Sequence, residues 1–313
     1  MFINATGFYV PAGRVHNDYF LKVNGLTSEW IEQRTGIVTR SKCRPDEDVN
    51  TMSLNAVLNA KPKLPYNISD VDLIISATYS PVDTVATAAH TVQKEYQIEH
   101  AKAFMISSAC SSFLNALEIV EGYFALGKAS KALVLSADNN SLYQNEADPQ
   151  SGHLWGDAAA AFFLSRERVQ ANEHEIVDIY TEGLGHIGKS VEAVKLRPAV
   201  EGIMMPEGKD VFIHACNYMP KNVLYLLEKN GYSLEDLTYF IGHQANMRIL
   251  SNVARQLKLP EEKMLHNIEE LGNTGSVSSA LVYAQNEQRF REGDLIALAV
   301  FGGGYSAGAC LIK

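Results

Sequence analysis

The sequence predicts an α/β protein, and three observations lead to that expectation. Short apolar, β-rich runs alternate with longer segments of helical spacing along most of the chain. In each half, one predicted strand runs directly into a polar turn, at Leu73–Ser80 and again at Tyr239–Asn246. The 313 residues, 46% hydrophobic and 20% charged, exceed one ordinary core and suggest two units of about 150 residues each.

Taken in order, Met1–Gly7 reads as a first strand. Val71–Ala77, Ala103–Ile106 and Ala132–Ser136 are further strands. Between them, Ala86–Gln97 and Ser112–Leu126 have helical spacing. In the second helix Phe113, Leu114, Leu117, Val120 and Phe124 form one apolar stripe, with Glu121 its polar exception. The charged stretch Ser165–Glu175 marks the boundary between units 1–168 and 169–313. Beyond it come a strand at Ile176–Thr181, a helix near Val211–Asn230, a strand at Thr238–Gly242 and a helix at Met247–Leu257. A strand pair, Leu295–Phe301 and Gly308–Ile312, completes the pattern. Gly183–Asp210 reads as a long irregular excursion, and such loops often serve as lids or tunnels.

Several function classes are disfavoured. A net charge of −9 argues against a nucleic-acid partner, since phosphates demand basic surface. No run approaches the roughly 20 apolar residues of a membrane span. The N-terminus lacks a basic segment followed by an apolar run, so no secretory signal is expected. Cys43, Cys110, Cys216 and Cys310 are far apart with no C-x-x-C pair. Metal and disulfide readings are therefore weak, and a cytoplasmic location fits best. Neither a G-x-S-x-G elbow nor a G-x-G-x-x-G fingerprint occurs.

Four sites have a setting suited to chemistry. Cys110 lies in Ser107–Ser112, between a strand and a helix start, where the helix dipole and free N–H groups favour thiolate. A buried structural cysteine is the plainer reading. His243 ends an apolar strand in Gly242-His243-Gln244-Ala245-Asn246; it is either a cleft residue or a satisfied histidine at a strand terminus. Asn273, in Gly272-Asn273-Thr274-Gly275, is by itself a turn residue. The run Phe301-Gly302-Gly303-Gly304-Tyr305 is a tight turn, or backbone brought close to a substrate with an N–H aimed at an oxyanion.

In combination these segments are familiar. S-A-C-S-S-F, G-H-Q-A-N, G-N-T-G-S and F-G-G-G-Y, in that order, resemble the β-ketoacyl-acyl carrier protein synthase III family of thiolase-fold condensing enzymes. Ser28–Ile37 and Trp155-Gly156-Asp157-Ala158 extend the resemblance over essentially the whole chain. It implies a thiolase-like five-layered αβαβα fold of two similar halves, working as a homodimer on acyl-CoA and malonyl-acyl carrier protein, with no cofactor. Cys110 would be acylated, with its own N–H and that of Gly303 as the oxyanion hole. His243 and Asn273 would stabilise the charge released by decarboxylation. Trp30, Arg34 and Asn246 match CoA-binding positions, and Arg248 and Arg255 match a face that docks the acidic carrier protein.

The chain also departs from that pattern. Val85 falls where the family usually has a Phe lining the partner's acyl pocket, which predicts tolerance of acyl groups larger than acetyl. G-D-G-A-G-A reads Gly156-Asp157-Ala158-Ala159-Ala160-Ala161. An arginine that clamps adenine in some members is missing near Pro149, and Ile213 replaces a basic residue. The alternative is a specialised relative of secondary, polyketide-type metabolism accepting a larger acyl group. A degradative thiolase would need a second cysteine near the terminal glycine run. A non-catalytic partner subunit would be expected to lack part of the trio.

Overall fold

The structure is a computed structural model and describes residues 1–313. The first half begins with β1 (Phe2–Tyr9) and a ribbon of β2 (Gly13–His16) against β3 (Thr39–Lys42). Between the ribbon strands lie helices α1 (Asp18–Val23) and α2 (Ser28–Thr35). Helix α3 (Val49–Ala60) follows, then β4 (Leu73–Ala77), α4 (Ala88–Glu95), β5 (Lys102–Ile106), α5 (Ser112–Ala125), β6 (Lys131–Asn139) and β7 (Asp157–Ser165).

The second half comprises β8 (His174–Gly183), β9 (Lys195–Arg197), β10 (Gly202–Met204), α6 (Gly208–Lys229), β11 (Leu237–Gly242) and α7 (Met247–Gln256). After these come α8 (Ile268–Leu271), α9 (Ser278–Asn286), β12 (Leu295–Gly302) and β13 (Ser306–Ile312).

The two halves repeat one topology. In the first, the strand order is β5-β4-β6-β7-β1, with β4 parallel to β5 and β6 and the remaining pairs antiparallel. In the second, β11-β12-β13-β8 repeats the last four positions with the same directions. A single parallel bridge from Phe240 to Met264 stands where a fifth strand belongs. The sheets join where β1 pairs with β8 at only two positions. The sequence hinted at this duplication without a register, because side-chain identity is not repeated. What repeats is the order in which strands bury their faces.

Period-two alternation explains the layers. Along β7, Ala158, Ala160 and Phe162 face a central core with α5 and α9, while Ala159, Ala161 and Phe163 face α3 and α4. Along β12, Ile296, Leu298 and Val300 face the same central core. Ala297, Ala299 and Phe301 instead face α6 and α7. The result is α3/α4, sheet, α5/α9, sheet, α6/α7: the five-layered αβαβα arrangement expected.

Several elements were not legible, among them three that build the layers. Strand β7 begins with an alanine run of high helix propensity, and is a strand because both its faces are covered. Helix α3 is rich in Asn, Ser and Thr, and starts from a capping box between Asp48 and Thr51. The small and β-branched residues of α9 gave no clear stripe, because α9 is enclosed on all sides. The excursion 183–210 is also more ordered than expected: β9 and β10 form a hairpin within it. No helix is long and apolar enough to cross a membrane.

Candidate active site

A mostly apolar cavity of about 390 Å³ lies where the two halves meet, and Cys110, His243 and Asn273 all line it. Each follows an element of the repeated unit. Cys110 comes between β5 and α5, Asn273 between α8 and α9, and His243 directly after β11. The excursion supplies one wall with Val191, Val194, Leu196, Ile203 and Met205; Trp155 and Phe301 supply others.

Cys110 is presented by a sharp turn. Ala109 adopts a left-handed φ of +50°, a conformation that costs a non-glycine residue about 1–2 kcal/mol. Ser112 ties the turn by accepting from Ser108 N at 2.8 Å and donating to Ala109 O at 2.6 Å. The amide N–H groups of Cys110 and Gly303 are both directed at the sulfur. Glycine at 302 permits this approach, because a Cβ there would lie 2.7 Å from Cys110 N.

One expectation is corrected here. The helix terminus was expected to stabilise thiolate, yet burial, with Asp138 adding to it, pushes the Cys110 thiol up to about 12. Ser111, not Cys110, is the N-cap of α5. The two N–H groups offset only part of the desolvation.

His243 is 3% exposed, and burial lowers its pKa to about 4, so the ring is neutral. Its Nδ1 lies 2.7 Å from Ser278 Oγ, the one hydrogen bond its ring makes within the protein, and the residue lines the cavity, which leaves Nε2 free for a substrate. Asn273 is held in a similar way: its Oδ1 accepts from Gly275 N at 3.0 Å. The Asn273 backbone is pinned by Asn273 N→Leu154 O at 2.8 Å and Gly156 N→Asn273 O at 2.9 Å. That contact explains the glycine of the Trp155-Gly156-Asp157 segment, since a Cβ at 156 would sit 1.9 Å from Leu271 O.

Beneath the loop lies Asp138, fully buried. Its Oδ1 accepts from Thr78 Oγ1, Tyr79 N and Ser80 Oγ at 2.7 to 3.2 Å, and its Oδ2 accepts from Ser276 N and Oγ at 2.6 Å each. Burial raises its pKa from the usual carboxylate value, although these donors oppose the shift. Sequence reasoning missed Asp138, Ser278 and the cavity-lining Tyr79. Asp138 ends an ordinary-looking strand, and Ser278 is one serine among several.

Trp30, Arg34, Asn246 and Arg248 form one connected surface. The Arg34 guanidinium lies 4.8 Å from the Trp30 ring centroid, and Asn246 Nδ2 donates to Arg34 O at 3.0 Å. Asn246 Oδ1 caps α7 by accepting from Arg248 N at 2.8 Å. The Asn246 side chain is thus engaged within the protein, and its neighbour Ala245 reaches the cavity instead. Arg248 and Arg255 are exposed and border one groove with Phe212 and Met247. Val85 is 83% exposed and does not line the cavity of its own chain. Cys43, Cys216 and Cys310 are free and lie outside the cavity.

Solved structures share this architecture end to end. A 3-oxoacyl-[acyl-carrier-protein] synthase III from Aquifex aeolicus superimposes with a TM-score of 0.92 at 30% identity, covering 100% of this chain and 99% of that one. A priming β-ketosynthase from the R1128 polyketide biosynthetic pathway gives 0.89 at 26% identity, covering 99% and 95%. The protein is therefore a thiolase-fold condensing enzyme, an acyltransferase. Family models described as 3-oxoacyl-[acyl-carrier-protein (ACP)] synthase III and its C terminal match residues 104–183 and 227–313. A β-ketoacyl-[acyl-carrier-protein] synthase III of Ehrlichia ruminantium is 33% identical over 98% of this chain and 97% of its own length. The chain belongs to the β-ketoacyl-acyl carrier protein synthase III family.

Proposed function

We propose that the enzyme condenses an acyl-CoA with malonyl-acyl carrier protein to give a 3-oxoacyl-acyl carrier protein, initiating fatty-acid chains. The observation that carries this reading is the meeting of one thiol, two backbone N–H groups and two side-chain donors, drawn from both halves, on one apolar cavity.

In the first half-reaction Cys110 Sγ attacks the acyl-CoA carbonyl carbon. The bond to the CoA sulfur breaks, and the thiol proton leaves with CoA. The N–H groups of Cys110 and Gly303 hold the transient oxyanion. In the second, malonyl carrier loses CO2, and the electron pair of the broken C–C bond moves onto the thioester oxygen. His243 Nε2–H and Asn273 Nδ2–H donate to that oxygen. The enolate carbon then attacks acyl-Cys110, and the released thiolate takes up a proton. Both substrates arrive as thioesters, so the chemistry requires no cofactor or metal.

In the same reading CoA approaches over Trp30, Arg34 and Asn246, and the acidic carrier protein meets Arg248 and Arg255. The units divide near residue 168, between β7 and β8. The chain works as a homodimer: β5 pairs with β4 on one edge only, and Ala103–Ile106 is an apolar, partly exposed edge of the kind sheets extend across.

Intact-protein mass spectrometry after incubation with acyl-CoAs, then malonyl carrier, tests the scheme. One acyl mass on Cys110, lost only when malonyl carrier is added, supports it; failure of Cys110 to load overturns it. A load that malonyl carrier leaves untouched favours a second reading, a condensing enzyme of polyketide-type metabolism accepting a larger acyl group. Val85 in place of Phe and the likeness to the R1128 enzyme support that reading.

A further inference from the structure

We infer that Ser278 is a positioning residue that locks the catalytic-site histidine in one tautomer, with the proton on Nε2. The inference rests on the proposed function for its kinetic meaning, and on geometry for its direction.

Ser278 stands at the start of α9, and its hydroxyl meets two groups. Gln244 N lies 3.3 Å from Ser278 Oγ. A backbone N–H can only donate, so the hydroxyl oxygen accepts there. His243 Nδ1 lies 2.7 Å away on the other side. The hydroxyl proton has no other acceptor in the structure, so it is donated to Nδ1. An Nδ1 that accepts is unprotonated, and a neutral imidazole must then carry its proton on Nε2. Nε2 has no partner within the protein, since the ring's one hydrogen bond is made by Nδ1, and His243 lines the cavity. His243 therefore presents an N–H donor to the substrate oxygen, not a lone pair to the Cys110 thiol.

The same short segment orients the second donor. Gly275 N–H faces Asn273 Oδ1 at 3.0 Å, which turns the Asn273 NH2 group away from the loop. Asp138 anchors Ser276, which lies between these two contacts. Residues 273–278 thus set both hydrogen-bond donors from one stretch of backbone. Ser278 is the member whose side chain can be changed without touching substrate.

The test uses the full-length enzyme with Ser278→Ala and Ser278→Thr. Nitrogen-15 histidine NMR, with the His243 signals identified by their loss in His243→Gln, reads the tautomer directly. Wild type should show His243 protonated at Nε2 alone, Ser278→Ala a mixture or the Nδ1–H form, and Ser278→Thr the wild-type pattern. With Cys110 already acylated, condensation should fall about tenfold in Ser278→Ala and recover in Ser278→Thr. Acyl loading of free Cys110 should change much less.

The inference is overturned if Ser278→Ala keeps a pure Nε2–H signal. It is equally overturned if loading and condensation fall together without recovery in Ser278→Thr, since that pattern marks a purely structural serine. Failure of wild type to load an acyl group would defeat the proposed function and leave the tautomer measurement standing.

Discussion

Asp138 Oδ2 accepts both the backbone N–H and the hydroxyl of Ser276, each at 2.6 Å. Asp138 lies near the end of β6 in the first half and Ser276 follows Asn273 in the second, so this pair fastens one half's sheet to the other half's cavity-lining loop. Asp138→Asn places an NH2 among groups that all donate. It should cost roughly 3 kcal/mol or more, as expected when a buried charged acceptor loses its partners. Removing the carboxylate also removes one cause of the raised Cys110 pKa, so the thiol should become easier to titrate. Urea denaturation and thiol-alkylation rates against pH read the two effects; unchanged stability would refute the fastening role.

Acyl loading should depend steeply on pH. With the Cys110 thiol held at about 12, its thiolate fraction rises about tenfold per pH unit through the neutral range. Single-turnover loading should therefore climb without a plateau between about pH 6.5 and 9. A plateau near neutrality would show that the thiol is activated in a way the resting structure does not display.

Two glycines should behave oppositely. Gly302→Ala would drive a methyl group to within 2.7 Å of Cys110 N, displacing the loop that brings Gly303 N–H to the sulfur. Loading should fall on the order of 100-fold, the scale of losing one oxyanion donor. Gly122→Ala, on α5 with nothing within 4 Å of the new Cβ, should leave loading unchanged. It should raise stability by up to about 1 kcal/mol. The paired rates, with melting temperatures, decide the matter.

Stability should fall in mild acid. His243 and His153 are buried with pKa values lowered to about 4 from 6.5. Between those values the unfolded chain binds protons that the folded chain refuses. Stability is thus full above about pH 6.5 and is lost as pH drops toward 4. The loss is roughly 3 kcal/mol for the enclosed His243 and less for His153. The ring of His153 packs edge-on to Phe20 and Trp30, and its Nδ1 has no partner, so His153→Phe should fold and show a shallower slope. Urea midpoints at pH 7.5, 6.5 and 5.5 measure it; an identical slope would remove His153 from the account.

The edge strand gives the last prediction. Met105→Lys places a charge within β5, a recognised way to block edge pairing. Sedimentation should show wild type as a dimer and the variant shifted toward monomer. A monomeric wild type would end the dimer reading and, with it, a shared acyl pocket reached by Val85.

Much of the fold was legible because burial imposes periodicity. The stripe of α5, with Phe113, Leu114, Leu117 and Val120 all buried, was plain in the sequence, as were the strands leading to the turns that line the cavity. Strand β7 was not, since an alanine run is ambiguous until its two faces are known. For the site, motif order marked Cys110, His243, Asn273 and Gly303, but not Ser278 or Asp138. A hydroxyl 35 residues from its imidazole, or a carboxylate 138 residues from its serine, leaves no local pattern.

The sequence alone determined the α/β class, the family and the chemical identity of the groups in the cavity, because those depend on residue type, order and short-range periodicity. Only the tertiary structure decided their states. It enclosed the Cys110 thiol and raised its pKa, where position before a helix had suggested the reverse. It made His243 neutral and turned Nε2 toward the cavity. It used the Asn246 side chain as a helix cap. Protonation, tautomer and orientation depend on what surrounds a group in space, and that surrounding is assembled from segments far apart in the chain.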